Sequence, residues 1–383
     1  MLDKIVIEEK NNVKKIAGLY EGELKEFVLV NNEKTNEGNI YIGKIVKKIN
    51  TANAKVGYFL NIGNGREVFL NAEEHLLEPL NASEGQDVIV QVTQEQRDEK
   101  GAKMTRFLQL AGVYLVYSPY GDEIEVSPKI DDEELRDSLG QLVDENTEEG
   151  GWVVRTFAKQ AKKEDILAEI KSLQNLFDDI MAKAKKAKEP CLLLAKDNAA
   201  QEMICRNYDY LKKVVVNTRI LEENFKNTVF VEYDAKAFDN EGIEEMLTEA
   251  LQKNIKLKCG GRVIIEETKA FVAIDVDSGE GDVQGGFSKL NTEAAKEIAK
   301  QIILRNLAGK IIIDFAGVSE YKFLKKAIDV LEENLAKDVG KARVLGLSRA
   351  GNVEIVRNRR RPSLSNLLMK ECEVCSGLGK VEK

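Results

Sequence analysis

Hydrophobic and polar positions alternate with different periods along the chain, and the changes of period divide it into segments. Short β-rich runs in residues 1–35, separated by polar turns, predict a small group of strands. A group of this size is too small to fold alone, so it must pack on a later part of the chain. Residues 36–106 contain evenly spaced strands and a Gly-Asn-Gly turn, a pattern typical of a five-stranded OB barrel.

Residues 107–250 mix buried-type strands with helices. Apolar residues at helical spacing between Ile166 and Phe177 predict a long amphipathic helix that ends before Pro190. The strand-like runs CLLLAKD, VVVNT and TVFVEYD follow it, and a short helix over 199–212 separates the first two. This mixture of elements is an α/β pattern.

Residues 255–366 contain two hydrophobic strands that each end in an acidic residue, AFVAIDVDSGEG and KIIIDFAG. A helix follows each strand, over about 292–307 and 321–337, and the strands ARVLGLS and NVEIVR complete the segment. The fold class predicted for the whole chain is therefore a multidomain mixture of α+β and α/β parts.

Composition excludes several kinds of chemistry. One histidine among 383 residues cannot supply a paired-histidine nuclease site or an imidazole-rich zinc site. No apolar run approaches the ~20 residues of a membrane span, and the N-terminal residues lack a signal-peptide core. An odd cysteine count, five, argues against a secreted disulfide scaffold. We therefore expect a soluble cytoplasmic protein that does not associate with membranes.

Charge is distributed unevenly, which changes the interpretation of the net −8. Residues 341–383 hold 10 Lys/Arg and 4 Asp/Glu, a net of +6, so residues 1–340 carry −14. The basic end includes an arginine run that could bind phosphates or could simply be solvated: Arg357, Arg359, Arg360 and Arg361. In the barrel segment, aromatics that could stack bases or fill the barrel interleave with cations: Tyr41, Phe59 and Phe69 with Lys44, Lys47, Lys48 and Arg66.

The two strand-end acids, Asp275 and Asp314, are the strongest candidates for chemistry. An unpaired carboxylate in an interior strand is unfavourable, and ligands of α/β sheets gather beyond the carboxyl ends of the strands. Two carboxylates there suit Mg²⁺, which would activate water for hydrolysis because histidine is scarce. Asp277 and Ser278 could orient Asp275 or bound water. The alternative is that each acid caps the following turn.

Cys372 and Cys375 form a Cys-x-x-Cys followed by glycines, as in half of a zinc knuckle. A structural zinc needs four ligands, and the chain has no second such pair, so we predict a zinc completed by the same cysteines of a second subunit. The alternative is a reduced pair without metal.

The strings GGRVIIEETKAFVAIDVDSGEG, NTEAAKEIAKQIILRNLAGKIIIDF and CEVCSGLG together resemble the bacterial ribonuclease E/G family, in matching order along the whole chain. The resemblance implies an RNase H-like fold with an inserted S1-like OB barrel and a 5′-sensor subdomain, then a DNase I-like catalytic subdomain and a zinc-link. The implied bounds are 1–35 with 193–250 for the RNase H-like part, 36–106 for the barrel, 107–192 for the 5′ sensor, 251–366 for the catalytic part and 367–383 for the zinc-link.

The implied activity is metal-dependent endonucleolytic cleavage of single-stranded, A/U-rich RNA in rRNA processing and mRNA decay. It leaves 5′-phosphate and 3′-hydroxyl ends and favours 5′-monophosphorylated substrates. Matching positions give Asp275 and Asp314 as magnesium ligands and Cys372 and Cys375 as ligands of a zinc shared within a homodimer. The 5′-phosphate pocket is matched by Gly112, Val116, Arg155, Thr156 and Arg343, and the RNA-binding positions of the barrel by Phe59, Phe69, Arg97 and Lys100.

This sequence departs from the family pattern at three places. Asp277 replaces an asparagine that bonds to the first aspartate, and its charge is expected to raise a neighbouring pKa or strengthen metal binding. Ala316 to Val318 replace a segment with a further acid, and no domain follows the cysteines, so a tetramer is not expected. The first two departures keep open a noncatalytic RNA-binding regulator as the alternative to the nuclease, with a metal phosphatase as a further possibility.

Overall fold

The computed structural model describes most of the chain and divides it into two compact units. The first consists mainly of residues 30–212, and the second of residues 2–8, 15–29 and 213–383. Residue 1 and residues 9–14 also belong to the first unit. The described residues are 1–383 without 32–34, 51–55, 73–76, 96–100, 197–198, 226–228, 280–285, 318–319, 337, 360, 376–378 and 380–383.

The first unit contains the barrel predicted from the sequence. Its strands pair in the order β4-β5-β6-β8-β7, and β7 pairs again with β4, which closes a five-stranded barrel consistent with an OB-like subdomain. A sixth strand, β13, extends the sheet from β4. The strands are β4 (Ile40–Asn50), β5 (Val56–Asn61), β6 (Glu67–Asn71), β7 (Asp87–Gln94), β8 (Lys103–Thr105) and β13 (Cys191–Leu194).

A four-stranded sheet in the order β11-β12-β10-β9 packs against two helices in the same unit. The long helix predicted from apolar spacing is present as α2, with Ile166, Ile170 and Leu173 buried. Helix α1, which the hydrophobic pattern did not predict, begins after the capping residue Asp132. The elements are β9 (Leu110–Ala111), β10 (Leu115–Ser118), β11 (Ile124–Val126), β12 (Gly151–Val154), α1 (Glu133–Asp144), α2 (Lys163–Lys186) and α3 (Ala199–Asn207).

The N-terminal strands fold onto a later part of the chain, as expected. Strand β1 pairs in parallel with β14, and the sheet order is β15-β14-β1-β2-β3. Of the three strand-like runs predicted after the long helix, VVVNT and TVFVEYD form β14 and β15 of this sheet. The run CLLLAKD forms β13, which joins the barrel. The elements are β1 (Lys4–Lys10), β2 (Val13–Tyr20), β3 (Glu23–Asn31), β14 (Lys213–Val216), β15 (Val231–Tyr233), α4 (Arg219–Phe225), α5 (Ala237–Asn240) and α6 (Ile243–Ala250).

The second unit also holds a six-stranded sheet in the order β16-β17-β18-β19-β21-β20. Alternate residues of its central strands face helices α7 and α8 and form a buried core, so the opposite face of the sheet carries the remaining positions. The elements are β16 (Asn254–Lys256), β17 (Arg262–Glu267), β18 (Val272–Asp277), α7 (Gly286–Leu304), β19 (Gly309–Asp314), α8 (Tyr321–Leu335), β20 (Arg343–Leu347), β21 (Val353–Arg357) and α9 (Leu364–Leu368).

Part of the arginine run is structural, which neither of the two alternatives for it, phosphate binding or simple solvation, predicted. The Arg357 side chain is buried and donates to both carboxylate oxygens of Asp338, at 2.7 and 2.9 Å. Arg359 donates to the carbonyl oxygen of Ala308. Buried charges need such partners because desolvation is unfavourable. Arg360 lies outside the described residues.

Across the described ranges, no helix has both the length and the apolar character of a membrane span. The subdomain bounds given above remain predictions.

Candidate functional site

Asp275 and Asp314 lie side by side on neighbouring parallel strands. They are paired residues of β18 and β19, both interior strands of the six-stranded sheet. Residues paired in this way point to the same face, and neighbouring strands are about 4.8 Å apart. Both side chains are exposed, on the face opposite the helices. The structure therefore brings the two acids together, on an open face and not in the buried surroundings that the apolar strands suggested.

Strand β18 also continues two residues beyond Asp275, so this acid does not end its strand as the sequence suggested.

The carboxylate of Asp275 is in an unfavourable electrostatic environment. Partial burial raises the pKa of Asp275, and the negative charges of Asp314 and Asp277 raise it further, while Arg262 opposes them. Neither the Asp275 nor the Asp314 carboxylate makes a hydrogen bond or ion pair with any other residue that the structure describes, and Arg262 acts on Asp275 only through its charge. Two adjacent carboxylates without an ion-pair partner form a donor set that suits a hard divalent cation. The residues present thus fit the predicted magnesium.

The carboxylate of Asp277 makes its hydrogen bonds with residues other than Asp275. Its carboxylate accepts from the Arg262 guanidinium, with Nε at 2.9 Å, and from the backbone N–H of Gly279 at 2.9 Å. These hydrogen bonds lower the pKa of Asp277. The negative charge of Asp277 is also one cause of the raised pKa of Asp275. This agrees with the expectation that an aspartate in place of the family's asparagine raises a neighbouring pKa. Arg262, opposite Asp277 on β17, is a site residue that the sequence analysis missed.

A second constellation, in the first unit, surrounds the loop between β9 and β10. The Glu169 carboxylate on α2 accepts hydrogen bonds from three consecutive backbone N–H groups, those of Val113, Tyr114 and Leu115, at 2.6, 2.7 and 2.8 Å. A Cβ on Gly112 would lie 2.5 Å from the same carboxylate, so a side chain at this position would displace Glu169. Burial raises the pKa of Glu169, while the three N–H groups and the charge of Arg155 oppose that rise.

Arg155 and Thr156 lie beside this loop. The Arg155 guanidinium donates to the carbonyl oxygen of Gly112. The backbone N–H of Arg155 donates to the carbonyl oxygen of Tyr114 at 2.8 Å. The Thr156 hydroxyl is 2.8 Å from the hydroxyl of Ser127. Val116 follows on β10, half-buried. The structure therefore brings together four predicted pocket residues, Gly112, Val116, Arg155 and Thr156.

The sequence analysis did not identify two further residues of this region, Glu169 and Cys205. Glu169 is 54 to 56 residues from its partners, and nothing local marks it among the acids of α2. Cys205 lies near Arg155 and Glu169, and burial raises the pKa of its thiol to about 11, so it is not a reactive thiolate. The fifth predicted pocket residue, Arg343, is exposed on β20 in the other compact unit.

The barrel presents the predicted aromatic pair on its outer surface. Phe59 and Phe69 are paired across β5 and β6, half-exposed, with ring centroids 5.8 Å apart in an edge-to-face arrangement. Lys47 is paired with Phe59, and Lys103 with Phe69, so cations flank the rings. The sequence analysis missed Lys103, because its place beside Phe69 depends on the parallel pairing of β6 with β8.

Other predictions for the barrel have mixed outcomes. Tyr41 belongs to the barrel core with 6% exposure, so of the two alternatives for this residue it fills the barrel and does not stack bases. Lys44 forms an ion pair with Asp87, with 3.7 Å between Nζ and Oδ1. Arg97 and Lys100 lie outside the described residues, as does the single histidine, His75.

The two C-terminal cysteines are close together. The thiol of Cys372 is exposed, and hydrogen bonds from the backbone N–H groups of Cys375 and Val374 lower its pKa. The backbone N–H of Gly379 points to Cys375 Sγ at 3.3 Å. Backbone groups directed at sulfur suit metal-bound thiolates. Over the described ranges, no group of three or more His, Cys, Asp or Glu side chains could hold a metal ion.

Known proteins resemble the chain over most of its length. Residues 109–360 match the model of the ribonuclease E/G family. Ribonuclease G of Haemophilus influenzae is 29% identical over 97% of this chain and 82% of its own length. Ribonuclease G of Escherichia coli K12 is 30% identical over 90% of this chain and 77% of its own length. Ribonuclease E of the same strain is 30% identical over 90% of this chain and 35% of its own length. The chain therefore belongs to the ribonuclease E/G family and is, by that membership, an endoribonuclease.

Proposed function

We propose that this endoribonuclease hydrolyses single-stranded, A/U-rich RNA with the help of a divalent cation held by Asp275 and Asp314, leaving 5′-phosphate and 3′-hydroxyl ends. The observation that carries the proposal is the pairing of these two carboxylates on adjacent interior strands, where neither makes an ion pair with a described residue. A bound Mg²⁺ would neutralise this pair, polarise a phosphodiester and supply an activated water.

The residues around the pair have separable tasks in this proposal. Asp275 and Asp314 fix the position of the cation, because both side chains project from strands held in register on both sides. Arg262 compensates the charge of Asp277, so the third carboxylate does not add a full negative charge where an RNA phosphate must approach. The scarcity of histidine supports a mechanism in which no imidazole acts as the general base.

The region around Glu169 is our candidate for a 5′-phosphate sensor. Arg155 and Thr156 offer a guanidinium and a hydroxyl, which bind phosphate through charge-assisted and neutral hydrogen bonds. Glu169 holds the loop that carries Gly112, which in turn accepts from Arg155. Arg343 enters this proposal through the family resemblance. We expect RNA with a 5′-monophosphate to be preferred, with roles in rRNA processing and mRNA decay.

The barrel is the candidate surface for the RNA strand. Phe59 and Phe69 are half-exposed beside Lys47 and Lys103, which suits base stacking together with phosphate neutralisation. Arg97 and Lys100 belong to this proposal through the resemblance. The barrel and the carboxylate pair would then bind parts of the same substrate.

The cysteine pair supports a homodimer in which Cys372 and Cys375 of two subunits share one Zn²⁺. Four thiolates would complete a tetrahedral structural site. Native mass spectrometry should then give about half a zinc per chain, and a metal-free monomer would contradict the proposal.

Cleavage of two labelled RNAs tests the proposed function. The RNAs share one A/U-rich single-stranded sequence and carry either a 5′-monophosphate or a 5′-hydroxyl, and each is incubated with and without Mg²⁺. Asp275→Asn and Asp314→Asn should each reduce the rate by about 10²–10³-fold, the size of the loss when one preorganised group that stabilises transition-state charge is removed.

Asp329→Asn is the matched control, because Asp329 is an exposed acid on α8 and the change removes the same charge. Unchanged cleavage by the Asp275 and Asp314 variants would show that the site is elsewhere. RNA binding without Mg²⁺-dependent cleavage by the wild-type chain would instead favour the noncatalytic alternative.

A further inference from the structure

Three large aromatic side chains are exposed at one edge of the six-stranded sheet. Phe287 is the second residue of α7, and Tyr321 and Phe323 lie in the first turn of α8. Each exposes about half of its side chain, at 52, 54 and 53%. Exposed aromatics grouped in one place are often binding sites.

The topology places the helix starts that carry these aromatics at the edge of the sheet where the strands of the carboxylate pair end. Strands β18 and β19 are parallel, α7 follows β18, and α8 follows β19. Both helices therefore begin at the edge where the two strands end. Asp314 is the last residue of β19, and Asp275 lies two residues before the end of β18, with both acid side chains on the face of the sheet opposite the helices. Helix N-termini favour negatively charged groups, so this edge also suits the phosphates of a nucleic acid.

The ring of Phe287 rests against the loop that leaves Asp314. A Cβ on Gly317 would lie 2.9 Å from Phe287 Cδ2, and Gly317 has φ +90°, so the loop approaches the ring closely only because this residue is glycine. The buried amide of Asn291 holds the loop by donating to the carbonyl of Ala316 at 2.9 Å and accepting from its N–H at 3.2 Å. Phe287 is thus a supported ring with a free surface.

We propose that Phe287 stacks on a nucleobase of the RNA strand next to the phosphodiester that is cut. This inference rests on the proposed role of Asp275 and Asp314. An acidic site attracts a polyanion poorly without its cation, and a planar aromatic surface adds affinity that does not depend on charge. Stacking also tolerates different bases, since every base has a π-face. Tyr321 and Phe323 extend the same edge for neighbouring bases.

A double-mutant cycle between protein and RNA tests the proposal. The probe is a fluorescein-labelled single-stranded A/U 12-mer with a 5′-monophosphate, together with versions lacking one base at each position in turn. Binding is measured in EDTA, and KM and kcat in Mg²⁺. Phe287→Leu should weaken binding of the intact RNA about fivefold or more, within the range for loss of one stacked base. One abasic position near the cut should weaken wild-type binding by a similar factor and leave the variant unaffected.

Phe271→Leu is the control, because Phe271 is a partly exposed phenylalanine just before β18, at the opposite edge of the same sheet. Equal abasic profiles for wild type and Phe287→Leu would overturn the stacking proposal. A change of oligomeric state in Phe287→Leu, with its abasic profile unchanged, would also overturn it and assign the ring to a contact between chains.

The outcome separates the two proposals. If Asp275→Asn loses cleavage but no base couples to Phe287, only the stacking is wrong. If Asp275→Asn cleaves normally, the catalytic site is misassigned whatever Phe287 does.

Discussion

Two regions of this molecule hold carboxylates in opposite ways. Around Glu169, burial is the largest influence and raises the pKa, but every described neighbour that acts on the carboxylate through hydrogen bonds or charge favours its ionised form. Around Asp275, burial and two neighbouring carboxylates all oppose ionisation, and only Arg262 favours it. A carboxylate with its hydrogen bonds satisfied fixes a loop, whereas a carboxylate facing another negative charge is prepared for a partner that the chain does not supply. The first is expected to stabilise the fold and the second to destabilise it in favour of function.

The largest effect on stability should come from Glu169→Ala. Removing the carboxylate leaves three consecutive N–H groups without their acceptor, which should destabilise the protein by about 2–4 kcal/mol. The free energy of unfolding in urea measures this loss. Glu164→Ala, at an exposed acid in the first turn of the same helix, should change it by less than about 0.5 kcal/mol. Equal losses of unfolding free energy in the two variants would show that the hydrogen bonds of Glu169 do not stabilise the fold, and the contrast with Asp275 would then be wrong.

Asp275→Asn should act in the opposite direction, raising the free energy of unfolding at pH 7 by about 0.5 kcal/mol, a size usual for exposed charge pairs. The raised pKa of Asp275 means that its ionised form disfavours folding, so the cost is present at neutral pH. The cost is lost as pH falls through the folded pKa, and the advantage of the variant should then disappear. Urea unfolding at neutral and acidic pH checks this, with Asp329→Asn as control.

Asp277→Asn should have the smallest effect. The substitution removes one of the charges that repel Asp275 but also breaks the ion pair with Arg262, and the two consequences partly cancel. Its midpoint of urea unfolding should therefore shift less than that of Asp275→Asn. A larger shift would mean that the Arg262 pair stabilises the sheet more than an exposed ion pair usually does.

The two regions also differ in how far the sequence predicts them. Asp275 and Asp314 interrupt apolar strand patterns, and parallel pairing of such strands places their acids together, so a local pattern is enough. Glu169 lies in an amphipathic helix with many acids, and its partners are backbone groups, which carry no sequence signal. Arg357 misled the prediction for a related reason, since its buried partner Asp338 lies 19 residues away in a loop and no local pattern links the two. Local periodicity thus predicts the elements, whereas long-range pairing decides which charges are satisfied.

The parallel pairing of β18 with β19 has a consequence for synthesis of the protein. The two acids are 314 − 275 = 39 residues apart, and α7 lies between them along the chain. At about 5–20 residues per second, a growing chain carries Asp275 alone for roughly 2–8 s. Under the proposed mechanism, a nascent chain therefore has no complete cation site, and it cannot cut the messenger from which it is being translated until the second strand has emerged and paired.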